Sequence, residues 1–329
     1  MPVKISESIA VIVVSYNSGA TLMRCLESIQ RQSLFPRRVI IIDNASVDGS
    51  ALAAAKAYPE FTFKFLAENT GFAAANNYAA RIADDCDWLA LLNPDAYAAS
   101  DWLEKLSAAT QCNPQFGFFG SRMLMAKDPA RIDGTGDVYH ASGLVWRGGY
   151  RNIAINHAET AEEIFSPCAA AALYRRKDFL EVSGFDESFF CYMEDVDLGF
   201  RLRLRGLRCL YVPDAIVHHE GSASTEGGQH SDFAVYHGHR NLVWVFVKDM
   251  PGLLFYLLLP LHVLLNLVTV VWFTMRGQGR VILRAKRDAV MGLSSAWAKR
   301  RQVQAERSLS IPGTWRLLNK ESLLFRVKS

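Results

Sequence analysis

A succession of short apolar runs, each closing on polar residues, constrains the fold of this 329-residue chain more than any other feature. Residues 9–14 form a nearly continuous β-branched run that stops at Ser15-Tyr16-Asn17. Residues 38–42 form a second run, stopping at Asp43-Asn44, and 88–92 another, stopping at Asn93-Pro94-Asp95. Such runs read as strands buried on both faces. Residues 61–66 alternate like one further strand. Between them, 21–32 has helical spacing with Leu22, Cys25, Leu26 and Ile29 on one side, 50–58 is alanine-rich, and 71–83 is again helical. Strands alternating with helices predict an α/β fold with a Rossmann-like, mostly parallel sheet covered on both faces. Asn17, Asp43 and Asp95 then fall just past the C-terminal strand ends, where open parallel sheets bind ligands.

The pattern weakens over 117–155, where glycines and short alternating runs suggest a small antiparallel element or loops. Order resumes over 166–180 with the small-residue run 169–172 and a helix. Residues 194–204 read as a helix, and 209–217 as a last strand ending at His218-His219. The length suits one large α/β domain with an appendage, or two modest domains. With 50% hydrophobic residues a substantial core can form, which argues against global disorder. A net charge of +3 gives no support for a nucleic-acid partner. The six cysteines are scattered without a CxxC pair, so they read as free thiols in a reducing compartment, with no zinc. The run at 9–14 is too short for a secretory leader, and Lys4 and Glu7 precede it.

The C-terminal part differs in kind. Gly252–Met275 carries no charged residue over 24 positions, long enough to span a bilayer. Pro260, His262 and Asn266 inside it fit a simple lipid-exposed span poorly. An interfacial or re-entrant helix pair bent at Pro260 is an alternative, and a buried helix or oligomer interface is the bland one. Eight basic residues follow between Arg276 and Arg301 against one acid, Asp288. They suit an anionic membrane surface. The expected division is 1–245 for the α/β domain and 246–329 for an apolar, basic helical region.

Several strand-end groups could carry chemistry. Asp95 in Asn93-Pro94-Asp95 could bind a hard divalent cation, whose remaining ligands would be phosphate oxygens and water; ordinary turn chemistry explains the same tripeptide. His218 or His219 could supply a second ligand, and period-two alternation allows only one of them to face the crevice. Glu194-Asp195-Val196-Asp197 opens a helix. The three acids suit the helix dipole, or one is a general base, and Asp197 with Arg201 has ion-pair spacing. The stretch 43–50 is either a turn with an N-cap or a wall that bonds a nucleobase. Glu68-Asn69-Thr70-Gly71-Phe72 is a helix entrance or a pocket wall.

The order of these motifs resembles the family 2 glycosyltransferases of the GT-A fold, especially the bacterial rhamnosyltransferase-like branch. The resemblance covers roughly residues 8–245. It rests on Val14 to Asn17, the stretch 43–50, Glu68 to Ala73 with Asn76-Asn77, Leu92 to Asp95, Gly184 to Phe190 leading into Glu194 to Asp197, and Pro213 to His219. It implies an inverting transferase that moves a sugar, rhamnose in that branch, from a dTDP- or UDP-sugar to a hydroxyl of a lipid-linked or polysaccharide acceptor. Ser15, Tyr16, Asn17, Asp43, Asn69, Gly71, Asn76, Asn93 and Asp95 would then surround the nucleotide sugar. Asp95 and His219 would hold Mn2+ or Mg2+, with Asn93 standing where many members have an acid. Asp195 would be the catalytic base, with Glu194 and Asp197 in support. Arg240-Asn241 also looks like that branch, whose members work at the cytoplasmic face of the inner membrane. A polyprenyl-phosphate sugar synthase or glycan polymerase of the same fold, and a non-catalytic membrane-tethered binding protein, are the rivals.

Overall fold

The computed structural model describes residues 8–156, 160–221 and 231–322. Lys4 and Glu7 lie outside them. The first half runs β1 (Ile9–Ser15), α1 (Gly19–Gln30), β2 (Arg38–Asp43), α2 (Ser50–Ala57), β3 (Thr62–Phe65), α3 (Gly71–Ile82), β4 (Trp88–Leu92), β5 (Ala96–Ala98) and α4 (Trp102–Cys112). There follow β6 (Phe118–Met125), β7 (Asp128–Gly134), β8 (Asp137–Tyr139), β9 (Val145–Arg147), β10 (Glu162–Ile164), β11 (Ala171–Arg175), α5 (Arg176–Glu181), α6 (Glu194–Leu204) and β12 (Cys209–His219). Five helices end the chain: α7 (Asp232–Asp249), α8 (Gly252–Met275), α9 (Gly279–Met291), α10 (Leu293–Ala305) and α11 (Ile311–Leu317).

The main sheet has the order β10-β12-β6-β11-β4-β1-β2-β3, with β5 on β12 and β7 on β6. Its β3-β2-β1-β4 part is wholly parallel. Beyond β4, β11 runs antiparallel to both neighbours, while β12 and β6 are parallel to each other. The glycine-rich stretch accordingly resolves into β6 to β9, with β8 and β9 forming a separate hairpin. Burial explains the apolar runs. Ile9, Val11 and Val13 enter the layer filled by α1, α2 and α4. Ala10, Ile12 and Val14 enter the layer filled by α3, α5 and α6. The period-two geometry of a strand requires both sets to be apolar.

A third apolar cluster joins Phe189, Val196 and Phe200 to Val245, Phe246, Leu254 and Leu258. Residue 245 lies inside α7, so the division at 245/246 falls within a continuous helix, and Val245 and Phe246 on its two sides share that core. Helix α8 is also continuous through Pro260 rather than a bent pair, and its hairpin partner is α9. Three of the eight basic residues face the protein instead of a solvated surface. Lys286 donates to the His239 carbonyl and Asn266, Lys299 to Asp186 and Ser188, and Arg300 to the carbonyls of Val247 and Met250. Burial lowers the Lys286 ammonium to about 7. All six cysteines are free.

Candidate active site

Because β1 and β4 lie side by side while the chain goes from β1 to β2 on the other side, a crevice opens at their C-terminal ends. It widens into a cleft of about 1670 Å3. Of the sequence-predicted residues, Tyr16, Asn69, Gly71, Asn93, Asp95, Glu194, Asp195 and His219 line it. Ser15, Asn17, Asp43 and Asn76 lie outside that lining, and their bonds say why. The Ser15 hydroxyl donates to Ser18 Oγ at 2.9 Å, and the Asn76 amide donates to the Phe72 carbonyl within α3. Asn17, at φ +47°, accepts from the Val47 N–H at 2.8 Å and so braces the loop after β2. Asp43 Oδ2 accepts from the Ser46 N–H at 3.3 Å, while its buried Oδ1 has no partner among the described residues. Asn44, not singled out from sequence, does line the cleft. Its amide donates to Asn69 and the Gly71 carbonyl, and its oxygen accepts from the Thr70 N–H. Gly71 has φ +84°, and a Cβ there would lie 2.6 Å from Phe190, so the α3 entrance can close against the opposite wall only with glycine.

On the other side, β5 pairs with β12 so that His219 faces Ala96 and His218 faces Tyr97. His219 turns inward and is 4% exposed; His218 lines a separate shallow groove near Arg24 and Arg31. His219 Nε2 sits 3.3 Å from Asp95 Oδ1, and Nδ1 lies 2.8 Å from Asp133 Oδ2. Arg147 in turn donates to that Asp133 oxygen at 2.7 Å. Burial lowers the imidazole, but the bond to Asp133 and the negative charge of Asp133 and Asp95 outweigh it and raise it to about 9. Asp133 and Arg147 were not anticipated.

The second carboxylate centre is the start of α6. Asp195 Oδ2 accepts from the Ala169 N–H at 3.1 Å and Oδ1 from its neighbour Val196 at 2.9 Å. Burial nevertheless holds its carboxyl above the ordinary range. Glu194 is raised further by burial and by the charge of Asp195, and its Oε2 has no partner among the described residues. Asp137, also missed from sequence, lines the cleft and is raised by burial and the same neighbour. Such perturbed carboxyls in a cleft mark functional sites more often than chance. Asp197, expected to assist, is instead fully buried away from the cleft, paired with Arg201 at 2.7 Å and with Lys248. Just before α6, Phe190, Tyr192 and Met193 all have left-handed backbones, a strained segment lining the cleft. Asn241 holds it, donating to the carbonyls of Phe189, Cys191 and Tyr192, which accounts for the Arg240-Asn241 pair noted in the sequence.

Among the described residues, no three His, Cys, Asp or Glu side chains converge into a ready-made metal cage. Asp95 and His219 offer two ligands, and His219 Nε2 is a buried ring nitrogen without a hydrogen-bond partner among the described residues. Such a pair fits a cation that a diphosphate would help to hold.

The model of the glycosyl transferase family 2 matches residues 10–182, more than half of the chain. The chain belongs to that family. It is a glycosyltransferase, and its relatives place it near the rhamnosyltransferases. An N-acetylglucosaminyl-diphospho-decaprenol L-rhamnosyltransferase of Mycobacterium tuberculosis is 29% identical over 274 residues, covering 74% of this chain and 85% of the relative. The O-antigen chain rhamnosyltransferase RfbN of Salmonella typhimurium is 24% identical over 233 residues, covering 70% and 72%. Two solved structures share the fold. GalNAc-T7 with UDP, GalNAc and Mn2+ has a TM-score of 0.60 at 18% identity, covering 75% of this chain and only 48% of that one. The mannosyltransferase PcManGT from Pyrobaculum calidifontis, in complex with GDP-Man and Mn2+, has a TM-score of 0.54 at 18% identity, covering 96% and 91%. The α/β sheet is therefore a GT-A fold, extended by C-terminal helices.

Proposed function

We propose that this family 2 glycosyltransferase inverts the sugar of a dTDP- or UDP-sugar, rhamnose being the favoured one, as it transfers it to a hydroxyl of a lipid-linked glycan. The observation that carries the reading is one cleft lined both by the Asp95–His219 pair and by Asp195. Tyr16 and Asn69 on the lining suit the nucleoside end of a donor, with Asp43, whose Oδ1 has no partner among the described residues, just behind them. Asp195 removes the acceptor proton, and its raised carboxyl is closer to neutral pH than an exposed aspartate, which suits a base. A single displacement with one base inverts the anomeric centre. Bound Mn2+ or Mg2+, held by Asp95 and His219, would neutralise the leaving diphosphate. The mycobacterial and Salmonella relatives support rhamnose, and the former supports a prenyl-diphosphate-linked acceptor.

The C-terminal helices suit action at the cytoplasmic face of a membrane. α8 is about 36 Å long at 1.5 Å per residue. It is attached to the body near its start through Leu254 and Leu258, in its middle through His262 on the Ser142 carbonyl and Asn266 on Lys286, and near its end through Phe273 against Val235 and Ile282. His262 and Asn266 thus face the protein, while Leu257, Leu261, Leu264, Leu267, Val268 and Val271 are exposed. A helix fastened along its length cannot cross a bilayer without drawing the body in, so α8 would lie in the interface plane. Exposed Arg276, Arg280, Arg284, Arg287 and Arg301 suit anionic headgroups. The cleft rim at 231–234 adjoins the far end of α8, with Gln278 donating to Asp232 at 2.8 Å, so a membrane-borne acceptor would arrive at the cleft.

A thermal-shift screen of nucleotide sugars in Mn2+ and in EDTA, followed by NMR of the anomeric proton of the product, tests the chemistry. Stabilisation by a dTDP- or UDP-sugar in Mn2+ and a product of opposite anomeric configuration are expected. Retention of configuration would defeat the single-displacement reading. Sedimentation with liposomes tests the interface. Binding to anionic vesicles that carbonate releases is expected, whereas carbonate-resistant insertion would favour a span.

A further inference from the structure

We propose that Asp133 is a positioning residue for His219, fixing the imidazole so that Nε2 presents its lone pair toward Asp95, with Arg147 holding Asp133 in place. The proposal rests on the metal-assisted reading above. β6 lies between β7 and β12, so Asp133 and His219 approach each other from opposite sides of its end. The pairing brings them there through an irregularity. Met123 pairs with Gly134 and the next residue, Leu124, with Ile132, leaving Asp133 as the extra residue of a bulge. A bulge re-aims a side chain, and Ile132, Asp133 and Gly134 are buried in succession, where a regular strand would alternate.

The ring's surroundings decide its tautomer. With a cation on Nε2 the imidazole is neutral and carries one N–H, and a carboxylate can only accept. Nδ1 is 2.8 Å from Asp133 Oδ2, whereas Nε2, at 3.3 Å from Asp95, makes no hydrogen bond. The neutral ring's proton therefore belongs on Nδ1, donated to Asp133. Arg147 donates to the same oxygen and keeps it ionised, at a side chain only 7% exposed. A carboxylate behind a histidine fixes the ring's orientation and raises the basicity of the opposite nitrogen, and its removal typically weakens a metal site by about 10–100-fold. Asp133 lies outside the cleft lining; it acts through His219.

Binding of UDP and dTDP to the full chain, by calorimetry in Mn2+ and in EDTA, separates this role from a merely structural one. The wild type should bind more tightly in Mn2+. Asp133→Asn should shrink that Mn2+ enhancement by about 10-fold or more with the EDTA affinity unchanged, and it should add nothing on a His219→Ala background. Equal losses in Mn2+ and EDTA, a full further loss on the His219→Ala background, or no loss would each overturn the proposal. Should Asp133→Asn fail to fold, Arg147→Gln, which frees Asp133 without removing it, should show the same metal-selective loss in smaller measure. A wild type that binds equally in Mn2+ and EDTA would instead defeat the metal-assisted reading itself.

Discussion

The two walls of the cleft are secured by different means. The wall built from the ends of β1, β2 and β3 is held by hydrogen bonds between neighbouring strand-end loops, 25–30 residues apart in sequence. Asn17 braces Val47, Asp48 accepts from the Gly19 N–H, and Asn44 gathers Asn69, Thr70 and Gly71. The wall that carries Asp195 and His219 is held by buried charge and by partners far away in sequence. Asp197 meets Lys248, Asp186 meets Lys248 and Lys299, Asn241 spans the strained segment before α6, and Asp133 meets His219. The nucleoside side is thus held by bonds between neighbouring strand-end loops. The side around Asp195 is held by side chains that need the C-terminal helices in place, so those helices serve the site as well as any membrane.

That contrast can be broken experimentally. Lys248→Ala should have the largest effect, about 3–5 kcal/mol of stability by chemical denaturation, because it strips a buried ammonium from Asp186 and Asp197. A loss below about 1 kcal/mol would mean that the buried network is not what secures the second wall. Asp95→Ala should lower transfer by about 10²–10³-fold, since the developing charge on the diphosphate loses its counter-charge; steady-state assays in Mn2+ read this. Asn241→Ala should cost about 1–3 kcal/mol and lower kcat more than it raises the donor KM, since the segment it holds leads directly into α6 and Asp195. An effect on KM alone would blur the distinction.

The smallest effect concerns pH. Burial and Lys286 lower the His239 imidazole to about 3, so the folded chain keeps it neutral where the unfolded chain protonates it. Its contribution is present above about pH 6.5 and is lost as pH falls toward 3. Lys286 on α9 and Phe273 on α8 face it. Wild type should therefore lose about 2 kcal/mol more than His239→Gln between pH 7 and pH 5. Melting curves of the two proteins at both pH values check the difference.

Much of the first wall was legible in the sequence, because a buried strand announces its end where its apolar run stops. The same logic delimited α6 at Glu194–Leu204 and, through alternation, let only one of His218 and His219 face the cleft. The second wall was less legible. Asp133 sits at a bulge that breaks the alternation, inside a glycine-rich stretch, and its partner is 86 residues away. Asp197 had ion-pair spacing to Arg201, and that pair forms, but its second partner, Lys248 on α7, had no local signal. The basic cluster after α8 likewise mixes exposed arginines with Lys286, Lys299 and Arg300, whose inward bonds depend on helix packing that no local pattern reports.

The central claim is that Asp195 acts on the acceptor while the opposite wall binds the donor. Acceptor-dependent release of nucleoside diphosphate at saturating Mn2+, wild type against Asp195→Asn, tests it most directly. A fall of about 10²–10⁴-fold with the affinity for nucleoside diphosphate unchanged is the predicted result. Release at the wild-type rate would contradict the account.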